Sequence, residues 1–530
     1  MTIKWTEWSK KTIEEVHGKV YFYRDLYEGK HINLFARAKK LVDSGEIVDN
    51  ILEGRSGAKN VQTPYIVANI SKLIPEIPAM LVSRSIGKIN SSIVSTEEQN
   101  EAANAETDEI IEGTEDNTSN GKIENLQQEL IKQIEKNSKL KLKHWSNIVQ
   151  HQVDGGLVGV PWHDERGLRI DFKQRDIYYP HEDELGVDLA YERTIDEEDY
   201  LHVYRERIED GDLKTNHFLF KLDGDNCTEL EEDETKELLN IDEVEMVFKG
   251  RSRPFVVYWP NEETFMNPLG VSCLKNQEGK QDEINWTLTR NGIVYERNGK
   301  PRIAVSKDIM SALKDAAFER YGDESKVDHR DLEITTFDDK GKAMEVIQID
   351  ISKIGDLQWV KDLMKLMFIE TKTSEKAVDF YLDSGGGAAQ SGVAKFYDLF
   401  ISIVKAERLQ EEYVYFLQQL FENCLWLANG EDPAVLIEEP EITLKSMIPI
   451  SRKELIEENQ LSFSGGSQSL ETTVRRNNPH ASEEWIQEEI TRIEEERQND
   501  DTTSLLLGRS NLSNFTDNRD ENGDLIEDDN

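Results

Sequence analysis

Cysteine is scarce. The chain has three in 530 residues, at Cys227, Cys273 and Cys424, far apart and without a CxxC pair. That spacing excludes a cysteine-built zinc site or a disulfide framework and fits a reducing compartment. Long apolar runs are missing too. The clearest, Leu399–Val404, falls far short of the ~20 residues needed to cross a bilayer. Met1–Thr12 is charged and has no apolar stretch of the kind a secretory signal needs. A soluble protein without membrane contact is expected. Positive charge is in deficit: 63 Lys+Arg stand against 105 Asp+Glu, a net charge of −42. That balance argues against a reader of nucleic-acid sequence, because groove binding needs a basic footprint to displace counterions. It leaves room for a conduit whose acidic wall repels a phosphate backbone and lets it slide past a few lysines.

Signatures of catalysis are equally thin. Gly54–Asn60 (GRSGAKN) lacks the spacing of a nucleotide-binding P-loop. His163-Asp164-Glu165 and His181-Glu182-Asp183 bring together residue types a metal-dependent hydrolase uses. They lie where turns between strands are expected, and no HExxH or triad context accompanies them. Near the C-terminus, Asp520, Asn522, Gly523 and Asp529 sit near the ligand positions of a calcium loop, with no second helix to follow. No enzyme activity, metal or cofactor is expected.

What the chain does have is long helical patterning around a strand-rich middle. Two stretches, Val271–Asn298 and Ile351–Phe380, read as helices of similar length. At about 1.5 Å per residue each spans roughly 40 Å, close to one turn of duplex DNA. Both look too polar to be buried all round, so neighbouring copies are expected to cover them. Between them, 299–350 reads as a small α+β module, with strands at Arg302–Val305 and Glu345–Ile349 and a helix near Lys307–Arg320. On the second rod Lys361, Lys365, Lys372 and Lys376 fall within an arc of about 60°. This is either a lysine file facing DNA phosphate or an ordinary solvated face. Leu357, Val360, Met364 and Met367 adjoin it.

Asp383, Ser384, Gly385, Gly386, Gly387, Ala388, Ala389, Gln390 and Ser391 form a loop that is flexible by composition. It reads as a gate or contact loop between rigid helices. A third long helix, Val393–Asn429, follows with a strong apolar stripe. Upstream, residues 1–53 read as mostly helical. Thr63-Pro64 looks like a helix start, with a stop near Pro75 and Pro78. Thr96–Asp116 holds nine acidic residues and no Lys or Arg, the composition of a mobile loop. Ile123–Gln152 reads as one helix.

From residue 157 to 265 the period changes to that of antiparallel strands, with a hairpin turn at Glu209-Asp210-Gly211-Asp212. Ser272 is placed to cap the first rod, and Ile442/Leu444 reads as a returning strand. Ser451 with Glu454, and Ser482, are expected to cap later helices. From Asn499 the tail is acidic and low in apolar residues. No internal repeat is found.

The ordered set is Pro64–Ile89, a strand-rich region, Asn267-Pro268-Leu269-Gly270-Val271-Ser272, rod, insert, rod, glycine loop and Ser391-Gly392-Val393-Ala394. Ile448-Pro449, Ser469-Leu470-Glu471-Thr472 and an acidic helix close it. Taken together it resembles the portal proteins of tailed bacteriophages, of the siphophage type of Gram-positive hosts, from about residue 20 to 498. The resemblance implies a multi-domain α+β portal fold assembled as a ring of about twelve subunits around a central channel. Residues 1–270 would be the wing, 271–298 and 351–380 the stem helices and 299–350 the clip. Residues 381–392 would be the tunnel loop, 393–450 the long helix and returning wing strand, 451–498 the crown helices and 499–530 the acidic tail. The implied partners are sister subunits, double-stranded DNA, the terminase large subunit, the major capsid and scaffolding proteins and a head–tail adaptor. The implied location is the capsid vertex of a virion assembled in the host cytoplasm. The tunnel loop departs from the expected pattern in having no large or basic residue at its tip. Another head- or scaffold-associated structural protein is the alternative, and behind it a metal-dependent hydrolase using His163 and the nearby carboxylates.

Overall fold

The computed structural model describes residues 4–45, 47, 63–93, 116–164, 166–223, 226–298, 302–305, 307–323, 344–347, 357–375, 392–447, 452–478, 481 and 485–495. Lys376, the glycine-rich loop, most of the acidic stretch, Ser451, Ser482 and the tail lie outside the described residues. The chain divides into two compact units, Met1–Gly385 with Asp398–Met447, and Gly386–Tyr397 with Ile448–Asn530. It mixes helix and sheet, as an α+β chain should.

Four short helices open the first unit: α1 (Lys10–His17), α2 (Val20–Tyr27), α3 (His31–Leu34) and α4 (Ala36–Asp43). The next expectation fails. Residues 63–69 are not helical, and helix α5 spans Leu73–Ser85, through both prolines. Pro75 sits in the first turn, where a missing N–H has no helical acceptor to lose. Pro78 forfeits a single hydrogen bond. Strand β1 (Ile86–Asn90) follows.

Ile123–Gln152 is two helices rather than one, α6 (Asp116–Asn137) and α7 (Leu140–Asp154). Lys139 adopts φ +52° at the corner, and buried Ser138 accepts the Ile170 N–H through its Oγ at 2.8 Å. The apolar period continues across this corner. A contact made 32 residues away fixes the break.

The middle of the chain is antiparallel, as its period requires. Strands β2 (Gly156–Asp164), β3 (Gly167–Lys173), β4 (Tyr178–Pro180), β5 (Gly186–Ile195), β6 (Glu198–Glu209), β7 (Asp212–Asp223) and β8 (Asn226–Glu229) lead into helix α8 (Glu232–Leu239). Strands β9 (Glu245–Phe248) and β10 (Val257–Pro260) complete it. One sheet has the order β10-β2-β3. The other runs β4-β5-β6-β7, with β8 and β9 both paired to the outer side of β7. The β6–β7 hairpin turns at Asp210 and Gly211, both at positive φ, as a two-residue type I′ turn demands. On the N-terminal side of this sheet, Trp5 donates to Asp188 at 2.9 Å and Trp8 to Glu192 at 3.0 Å.

Helix α9 (Glu278–Asn298) is the first rod. The insert beyond it has the expected form. Strands β11 (Arg302–Val305) and β12 (Met344–Ile347) pair antiparallel, with helix α10 (Lys307–Tyr321) between them. Helix α11 (Leu357–Glu370) is the second rod, and helix α12 (Gly392–Glu431) the third long helix. Strand β13 (Glu441–Leu444) returns to pair with β1, Ile442 opposite Ile89 and Leu444 opposite Ile86.

Within the first unit α12 is the central beam. Tyr413, Phe416, Leu417, Leu420, Phe421 and Cys424 pack with Ile148, Leu157, Ile170 and Trp259. Full burial of each such side chain is worth about 2 kcal/mol. Gly159 permits this approach, because a Cβ there would meet Leu420 and Phe416 within 3 Å. In the second unit, helices α13 (Arg452–Ser464) and α14 (Leu470–Asn477) pack together. Ser469 caps α14 by accepting the Thr472 N–H at 3.2 Å. Residues 485–495 are helical.

Candidate functional site

The two rods meet in the first unit, and they are unequal. α9 has 21 residues and α11 has 14, about 30 and 20 Å. Val271–Gln277 is a run of turns instead of the first two turns of a rod. Asn261 organises this entry. Its N–H donates to Gly155 O at 3.1 Å, its carbonyl accepts Val271 N–H at 2.8 Å, and its amide donates to Val271 O at 2.6 Å. Gly270 lies between the carbonyls of Gly155 and Asn261 at φ +75°, a place only glycine fills without strain. Ser272 accepts from Leu274 N–H at 3.2 Å and so shapes the turn rather than capping α9.

α9 corrects a second expectation. Its polar side chains are mostly inside the chain: Gln281, Asn285, Thr287 and Thr289 are fully buried. Three of them hold the irregular backbone that the sequence marked as a helix. Thr289 accepts Ile66 N–H at 2.9 Å, Asn285 accepts Ala68 N–H at 3.1 Å, and Gln281 accepts Ser71 N–H at 2.9 Å while donating to Ala68 O at 2.6 Å. Two side-chain amides and a hydroxyl spaced four apart thus take up backbone hydrogen bonds of this segment. The first rod needs no sister chain to satisfy that face.

α11 packs on α9 through Val360, Leu363 and Met367, against Leu274 and Ile284. Glu370 accepts from Gln277 at 3.0 Å and pairs with Lys280 at 2.7 Å. The other side of α11 faces solvent. Trp359, Leu366 and Ile369 are exposed, Ile369 by 72%, and Lys361 and Lys365 are exposed beside them. Lys365 lies 3.7 Å from Glu375.

The four-lysine arc does not continue as one helix face. α11 ends at Glu370, and Lys372 takes φ +54°. Lys372 N–H donates to Ile369 O and Thr373 N–H to Phe368 O, a Schellman termination with lysine where glycine is usual. Nothing in the lysine spacing signals this stop. The signal was Thr371-Lys372-Thr373, two β-branched residues flanking the turn. Lys372 is still exposed. It lines a cavity of about 270 Å³ with Phe400, Ile401, Val404, Lys405 and Arg408. Sequence reasoning missed Lys405. Its ammonium donates to Thr371 O at 3.1 Å, closing the C-terminal carbonyls of α11, where the helix dipole favours a cation. Burial draws its pKa down, and burial pushes the neighbouring Cys273 thiol up to about 12.

The two histidine motifs serve separate contacts. His163 pairs with Glu431 at 2.9 Å. His181 pairs with Asp188 at 2.9 Å, and Arg205 grips the same carboxylate at 2.8 and 2.9 Å. Among the described residues no three His, Cys, Asp or Glu side chains converge as a metal-ligand set. Among them, too, no helix is long and apolar enough to cross a membrane.

No protein-family model matches this chain, and no curated protein matches it.

Proposed function

We propose that this chain is a portal-type subunit. Copies form a ring whose channel passes double-stranded DNA during packaging and ejection, with a terminase supplying ATP hydrolysis and a tail adaptor joining later. The ordered sequence resemblance supports the reading. The observation that carries it is the outward face of α11, where Trp359, Leu366 and Ile369 stand in water beside Lys361 and Lys365. Large apolar side chains exposed on one side of a helix suit an interface. The lysines beside them give an acidic chain a local contact for phosphate. In this reading the apolar side chains meet the next copy and the lysines line the channel.

Electron microscopy of the purified chain tests the assembly: rings with a central hole are expected, and discrete compact monomers would end the proposal. Lys361→Glu with Lys365→Glu tests the channel. The variant is expected to form rings while DNA packaging falls at least tenfold. Rings with normal packaging would remove these lysines from the mechanism.

A further inference from the structure

One corner of this acidic chain is strongly basic. Where α6 turns into α7, Lys132, Lys136, Lys139, Lys141 and Lys143 occur within twelve residues that hold one acid, Glu135. The first four are exposed. Glu135 sits 3.4 Å from Lys141, whose side chain is still 79% exposed. Two apolar side chains share the outer face of the first α7 turns, three residues apart: Leu142, 82% exposed, and Trp145.

The outer edge of the six-stranded sheet has the opposite character. Glu229–Glu245, both ends included, holds nine acidic residues and one lysine, borne by α8 and its flanks, and the acids are exposed. Beside them Met246 and Val247 are exposed on the two faces of β9, which among the described residues pairs with β7 alone. Apolar side chains on an open strand edge are a liability unless something covers them.

We infer that the lysine corner of one copy docks on the acidic α8–β9 edge of the next, with Leu142 and Trp145 set against Met246. The inference rests on the ring reading and names the surfaces that make one of its contacts. Charge complementarity selects a second copy as the occupant. Each surface sets exposed apolar side chains beside a run of charge, basic at the corner and acidic along α8 and its flanks, and the acids of the edge outnumber Lys214 and Lys249 beside Val247. Such a contact is heterologous, the type that closes rings. It also supplies local attraction between chains that each carry −42 and otherwise repel.

The experiment uses the full chain, with mass photometry and sedimentation velocity over a concentration series. Lys139→Glu with Lys141→Glu reverses the corner. Glu237→Lys with Glu243→Lys reverses the edge. Lys39→Glu with Lys40→Glu, both exposed on α4, is a control with the same charge change as the corner variant. The corner and edge variants are each expected to raise the assembly Kd at least tenfold, and the control less than threefold. A one-to-one mixture of corner and edge variants restores assembly, because reversed corner then meets reversed edge. That recovery also shows that both variants are folded. Loss in the control equal to loss in the corner variant, or a mixture that does not assemble, overturns the inference while leaving the ring standing. A wild-type chain that is monomeric throughout overturns the ring and the inference together.

Discussion

Glu206 offers the sharpest test of how the middle of the chain is held together. It lies on β6, fully buried. Its carboxylate accepts Phe255 N–H at 2.7 Å, Val256 N–H at 3.0 Å and the Tyr204 hydroxyl at 2.9 Å. These two backbone amides immediately precede β10, which leads into the Asn261 corner and so into α9. Burial pushes the Glu206 pKa up, and the three donors with nearby Arg251 pull it back. Glu206→Ala orphans two buried N–H groups. At about 1–3 kcal/mol for each unsatisfied donor, the loss is about 4 kcal/mol. Glu206→Gln keeps an oxygen at the Oε2 position, which takes both strap N–H groups, and turns its amide toward the Tyr204 hydroxyl, so a loss of less than half that is expected. Urea unfolding should follow this order, and hydrogen exchange should accelerate first at the amides of 255 and 256. A Glu206→Ala protein that loses less than 1 kcal/mol, with those two amides still protected, would show that the strap is held by its apolar contacts instead.

Acid should unfold this chain before its carboxylates titrate. Burial lowers His17, His151 and His202 to a pKa of about 3, and His144 and His217 to about 4. Below about pH 6.5 the unfolded chain takes up protons that the folded chain refuses, so stability is complete above 6.5 and falls toward pH 4. Each histidine contributes a slope of about 1.4 kcal/mol per pH unit. Urea midpoints at pH 7, 6 and 5 measure it, and His151→Phe, stacked on Trp259, should lower the slope by one proton. A midpoint unchanged from pH 7 to 5 would contradict this. Lys372→Gly should stabilise the end of α11 by about 0.5–1 kcal/mol, because glycine removes the left-handed strain at the Schellman position. Destabilisation would mean that the lysine side chain has a structural role.

Local chemistry announced some elements plainly. Asp210-Gly211 between alternating runs specified its hairpin. Arg302–Val305 and the Lys307 helix were readable because strand and helix periods there are clean. Ile442/Leu444 was readable as a strand, although not its partner. The failures have one cause, which is contact between distant segments. Residues 63–69 stay out of helix because Gln281, Asn285 and Thr289 take over their hydrogen bonds. The α6–α7 corner bends because Ser138 bonds to β3. The polar face of α9 looked like a surface and is instead an internal scaffold. The lysine file was the most tempting site reading and the least secure. Lys361 and Lys365 do share an exposed stretch of helix, but periodicity could not reveal that the helix stops before Lys372, and Lys376 lies outside the described residues.

The pairing of β1 with β13 has a consequence for biosynthesis. Asn90 leaves the ribosome 351 residues before its partner Glu441. At translation rates of about 5–20 residues per second, that delay is roughly 20–70 s. Throughout it, the inward side chains of Ile86 and Ile89 have no strand to join, and the beam helix that completes their core is itself unfinished. The nascent polypeptide therefore waits with an open edge until β13 emerges, and this step of its folding comes late in translation. A host chaperone that shields short apolar strands has its natural opportunity in that interval.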